Sequence, residues 1–158
     1  MLYAALKTLH LLTIIVWIGG MVFAHFFLRP ALVHLEPPAR LRLMQDVLGR
    51  FFSSVLLAVV LVWVSGTWMI GRVAKQTVQA GAHFTMPVEW MIMAALGGVM
   101  TLIFVYIRWS LFPKLSRSVI AADWPAGAAA LAGIRQWVSV NLVIGVVIVL
   151  VTLIGVGR

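Results

Sequence analysis

Four apolar runs, at about residues 8–28, 51–71, 88–107 and 136–157, constrain this chain more than anything else in it. Each is close to the roughly 20 residues that a helix needs to cross the hydrocarbon core of a bilayer. In the first run, 21 residues lie between Lys7 and Arg29, which is about 32 Å of helix. A helix satisfies its own peptide groups, so its apolar side chains can face lipid without leaving backbone polar groups unpaired. The runs predict an all-α fold, an integral membrane four-helix bundle, forming one domain over residues 1–158. A soluble globular fold is excluded by 63% hydrophobic residues, 10% charged residues and a mean hydropathy of +1.10. The absence of cysteine excludes disulfides, thiolate metal sites and iron–sulfur clusters. The first run does not read as a cleaved signal peptide, because it lacks a basic leader and stops at Arg29-Pro30.

Charge then orients the spans. Arg29, Arg40, Arg42 and Arg50 lie between the first and second runs, and Arg108, Lys114, Arg117 and Arg135 between the third and fourth. Only Lys7, Arg72, Lys75 and Arg158 fall on the opposite side. The positive-inside pattern places both longer loops in the cytoplasm and both termini outside, in the periplasm if the membrane is a bacterial inner membrane. The net charge of +8 carries no nucleic-acid reading, since the basic residues flank spans and form no aromatic-interleaved patch. Trp68 and Trp90 on one side, and Trp109 and Trp137 on the other, fit interfacial belts.

The two halves resemble each other. A span ends in Leu28-Arg29-Pro30 and is followed by Glu36-Pro37-Pro38-Ala39; another ends in Leu111-Phe112-Pro113 and is followed by Asp123-Trp124-Pro125-Ala126. An acidic residue before proline marks a helix start, with the carboxylate capping free N–H groups. The second and fourth helices are therefore expected to begin near Pro38 and Pro125 and to extend into the cytoplasm. The arrangement predicted is two tandem helical hairpins related by an axis along the membrane normal.

Candidate chemistry clusters toward the outer side. His10 and Trp17 are seven apart and share a helix face, which Gly20 and Ala24 continue as a smooth strip. His10, Met69, His83, Met86, Glu89 and Met93 all fall near the outer surface by topology. Imidazole and thioether suit copper, thioether favouring Cu(I), and the same ligand types serve haem iron. Plainer readings stand beside these. Methionine fills irregular gaps, Glu89 suits a helix start by its charge alone, and loop or interfacial solvation accounts for His83, His25 and His34. Trp17 sits mid-span, beside His10 or against a flat cofactor. Asn141 is expected to hydrogen-bond a neighbouring helix. Arg108 could hold an anion or snorkel. No phosphate loop, zinc-helix motif or nucleophile elbow occurs, so no catalytic residues are assigned.

The pattern of His10, six residues, then Trp17-Ile18-Gly19-Gly20, followed by Leu28-Arg29-Pro30-Ala31-Leu32, resembles the copper-resistance protein D family. Arg50-Phe51-Phe52, Gly66, and Asn141-Leu142 with Gly145 agree with it. The resemblance implies copper transport or homeostasis at the bacterial inner membrane, with His10 as a ligand. It also implies a periplasmic copper-binding protein as partner. Larger family members have eight spans, so a four-span chain could rebuild that unit as a homodimer. The first span is also similar to the HemJ family, which binds haem b and oxidises protoporphyrinogen; His10 would match its first-helix histidine. The match departs where that family continues Ala-Gly-Leu and Tyr-Leu-Pro-Arg. Three functional expectations follow: copper binding near the outer face, a haem b electron carrier or oxidoreductase with His10 and Trp17 at the cofactor, or a cofactor-free membrane subunit or assembly factor.

Overall fold

In a computed structural model, which describes residues 1–156, every apolar run falls in a longer helical rod, the first two near its middle, the third from its start and the fourth at its described end. Arg158, counted above among the outer-side charges, and residue 157 at the end of the fourth run lie outside the described residues. Helix α1 (Leu2–Val22) continues through a π-helical segment, Phe23–Leu28, into the short α2 (Arg29–Ala31). Helix α3 runs from Pro37 to Gln79. Helix α4 (Val88–Tyr106) continues through a second π-helical segment, Ile107–Leu111, into α5 (Phe112–Ile120). Helix α6 spans Trp124–Val156. All four rods are long and apolar enough to cross a membrane.

The 43 residues of α3 amount to about 64 Å of helix, twice a hydrocarbon core. Its start at Pro37 and that of α6 at Trp124 fall within a residue of the expected positions. The sequence led us to expect α3 to project from the membrane only at its arginine-rich end. It also continues to Gln79 at the other, because no glycine or proline follows Gly71 until Gly81. The two helix starts differ in chemistry. Asp123 Oδ1 accepts from the Ala126 amide at 3.0 Å, as a cap should. Glu36 makes no such bond. Only its backbone carbonyl takes part, accepting from Arg40 N at 2.9 Å.

The helices pair in chain order, α1 on α3 and α4 on α6. These are the two hairpins expected from the sequence. Their first arms share one irregularity: both lapse into π-helix and then meet a proline, Pro30 or Pro113. The hairpins join through α1–α6, α3–α5 and α3–α6 contacts and an aromatic chain. Trp17 meets Phe104 edge-on (6.2 Å between centroids), and Phe52 meets both Phe104 (6.1 Å) and Phe112 (5.4 Å). Such pairs add about 0.5–1.5 kcal/mol beyond burial. Within the first hairpin, Phe51 packs onto Gly20 so closely that a Cβ there would overlap the ring, as the smooth strip predicted.

Tight turns close the ends. After α3, Gly81 (φ +78°) gives its N–H to Val78 O while Ala82 N bonds Thr77 O. After α5, Ala122 (φ +55°) bonds Val119 O while Asp123 N reaches Ser118 O. Both are Schellman caps, the second with alanine where glycine is normal. A left-handed alanine costs about 1 kcal/mol. Ala122→Gly should therefore raise the thermal midpoint of the detergent-solubilised protein; an unchanged or lower midpoint would contradict this account of the turn. The cysteine-free chain also permits a clean topology test. In intact cells, Ala82→Cys should react with an impermeant maleimide and Ala121→Cys only after lysis. The reverse pattern would invert the bundle.

Candidate functional site

A buried imidazole in an apolar bundle costs free energy unless it is hydrogen-bonded. His10, only 8% exposed, solves this across the α1–α3 interface, where Nδ1 lies 2.9 Å from Ser65 Oγ. The approach depends on Gly66, where a Cβ would sit 3.3 Å from His10 Cε1. Ser65 has a single hydroxyl proton, and its Oγ donates back to the Leu61 carbonyl one turn earlier. With that proton on Leu61 the serine oxygen accepts, which favours the His10 tautomer with its proton on Nδ1. Nε2 would then keep its lone pair. This is the tautomer in which a metal-binding histidine is commonly held, one nitrogen donating to a fixed partner and the other bare. Thr13, one turn below, is also buried and satisfies itself on Leu9 O.

The other outer candidates are spread over two hairpins. Met69 lies on α3 four residues beyond Ser65, about 6 Å along the helix. Met93 and Glu89 lie on α4, half-buried, and Met86 is half-buried in the segment before it; His83 in that segment is exposed. Two contacts bracket the depth of α4 against α3. Trp63 Nε1 donates to Thr101 Oγ1 at 3.1 Å, and Phe52 meets Phe104. Counting from both at about 1.5 Å per residue places Met93 within about 9 Å of Ser65 in depth and Glu89 within about 15 Å. Met69 and Met93 thus lie closer to the level of His10 than His83 and Met86 do, while Glu89 overlaps Met93 in the range the two contacts allow. Among the described residues no three His, Asp or Glu side chains come together as a metal cage. Copper here would need thioether donors alongside His10, a donor set that suits Cu(I). Trp17 is buried (6% exposed) and packed edge-on against Phe104, so its indole serves the core.

Three features escaped the sequence reading. His25, on the first π-helical segment, is half-buried and not merely solvated, with Nδ1 3.3 Å from Ser139 Oγ on α6. Ser139 in turn donates to the Arg135 carbonyl at 2.9 Å, which favours the same tautomer for His25 as for His10. The expected partner for Asn141 did not materialise; its side chain is buried (2% exposed), yet Oδ1 has no hydrogen-bond partner among the described residues. The third is Arg108, on the second π-helical segment. Its Nε is buried without a partner among the described residues, and its guanidinium lies over the rings of Trp109 (5.8 Å) and Phe112 (5.5 Å). His25 and Arg108 each stand five residues ahead of the proline that follows their segment. That spacing was readable in the sequence; the π-helical geometry was not.

The family model for copper resistance protein D matches residues 45–154, which covers most of α3, all of α4 and α5 and most of α6. The chain belongs to the copper resistance protein D family. It is a copper-resistance-related, multi-pass membrane protein. The matched stretch includes Phe52, Ser65, Gly66, Met69, Met93 and Asn141, while His10 and Trp17 lie ahead of it. No match was found among curated proteins or among solved structures.

The tautomer assignment is directly measurable. In a nitrogen-15 histidine spectrum of the neutral protein, His10 and His25 should both carry the proton on Nδ1. Ser65→Ala should release only the His10 signal from that pattern. A proton on Nε2 of His10 in the wild type would remove the argument for a free ligand nitrogen.

Proposed function

We propose that this chain is an inner-membrane copper-handling protein that binds Cu(I) at His10 near the outer face and helps move it inward. The observation that carries the reading is the buried pairing of His10 Nδ1 with Ser65 Oγ. With the Ser65 proton on Leu61, His10 donates from Nδ1 and keeps the Nε2 lone pair for a ligand. Met69 and Met93 are the thioethers closest in depth and complete the donor set in this proposal. His83, Met86 and Glu89 lie nearer the rim, where they would meet copper handed over by a periplasmic binding protein. The positive-inside distribution supports periplasmic termini. A second copy would supply the other four spans of the larger family members.

Haem b is less well supported. A macrocycle stacked on Trp17 needs open space at that indole, whereas Trp17 is buried against Phe104. A cofactor-free subunit role is weakened by a buried imidazole held with one nitrogen bare.

Cu(I) competition against a chromogenic chelator tests the proposal on detergent-purified protein. His10→Ala should weaken binding at least tenfold with the thermal midpoint retained. Ser65→Ala should weaken it by about 10-fold or more, as loss of an orienting partner does. Met93→Ala should produce a smaller loss. Copper affinity unchanged in His10→Ala would overturn the site. The absorption spectrum should show no Soret band; one whose α and β bands sharpen on dithionite reduction would replace copper with haem.

A further inference from the structure

The opposite end of the bundle contains a cavity of about 330 Å³ between the hairpins. Its polar lining is cationic or titratable in character: His25 from the first π-helical segment, Arg29 from α2, Arg40 from the first turns of α3 and Arg135 from α6. Its floor is apolar, with Leu41, Met44, Leu48 and Val138 among the lining side chains. Among the described residues no carboxylate lines it. The four acidic residues of the chain are Glu36, Asp46, Glu89 and Asp123, none of which is in the lining.

Three guanidinium groups from three separate elements around one concavity repel one another unless an anion lies between them. Arginine's planar fork fits the oxygens of a phosphate in pairs. We propose that this cavity binds a phosphate group, and that the apolar floor beneath it fits the acyl chains of an anionic phospholipid. The position agrees with the chemistry. The arginine-rich end is the cytoplasmic one by the positive-inside pattern, where anionic headgroups meet basic pockets between spans. A bound phosphate would bridge α2, α3 and α6, tying together the two hairpins. The proposal does not depend on copper, and its failure would leave the His10 reading untouched.

Native mass spectrometry and melting curves of the full-length protein in detergent provide the test, with phosphatidylglycerol, phosphatidylcholine and inorganic phosphate as probes at matched ionic strength. Phosphatidylglycerol should bind about 10-fold or more tightly than phosphatidylcholine. The preference should vanish in Arg40→Gln/Arg135→Gln and persist in Arg117→Gln, whose side chain is at the same end but outside the cavity. Arg40→Lys/Arg135→Lys, which preserves the charge, should keep the fold and part of the preference, covering the case in which the glutamine variant fails to fold. Stabilisation by inorganic phosphate with the same dependence on variants, and no lipid preference, would support the phosphate site and assign its ligand to the soluble pool. Equal binding of both lipids with no effect of phosphate would overturn the proposal, as would a preference that survives the double glutamine substitution.

Discussion

A serine hydroxyl has one proton to give, and in both histidine–serine pairs of this bundle it goes to the serine's own helix. Ser65 donates to Leu61 and Ser139 to Arg135, each one turn back. The histidine opposite is then obliged to be the donor. Within lipid the alternatives are worse, since an unpaired imidazole N–H would be left without water. This constraint locks α1 to α3 at one end and α1 to α6 at the other. It also leaves two bare Nε2 atoms on a single helix, fifteen residues and about 22 Å apart.

Around these pairs the architecture is nearly twofold while the chemistry is not. Both hairpins begin with an arm that relaxes into π-helix before a proline. Counting back five residues from Pro30 and Pro113 gives His25 and Arg108; counting back twenty gives His10 and Met93. The repeat supplies matching positions, and the side chains there have diverged into donors of different kinds. π-Helical turns are frequent at functional sites because they re-aim side chains without ending the helix. Here one aims a histidine at α6, and the other holds an arginine against Trp109 and Phe112.

The bundle is electrically polar along its length. Soft, neutral donors lie toward the end where α1 begins, and three guanidinium groups ring a cavity at the other. A monovalent cation travelling along the axis would meet repulsion at the arginine end unless an anion neutralises it. The copper and phosphate readings therefore fit together physically, although each stands on its own observations.

Much of this was legible from residues alone. Run length and backbone self-sufficiency dictated four membrane helices, and Asp123 and the prolines marked where α3 and α6 begin. The Gly20 strip announced close packing, and a histidine within a span required a partner. Local signals suffice for such features because they depend on neighbours in sequence. Tertiary structure decided the rest. Only packing shows that Ser65 meets His10 and Ser139 meets His25. The side of its helix that Arg29, Arg40 or Arg135 presents, the depth of Met93 and the unpaired Oδ1 of Asn141 are likewise set by neighbours far away in the chain. Periodicity can say that a face is polar, but the group it meets belongs to another helix whose register and tilt no local pattern records.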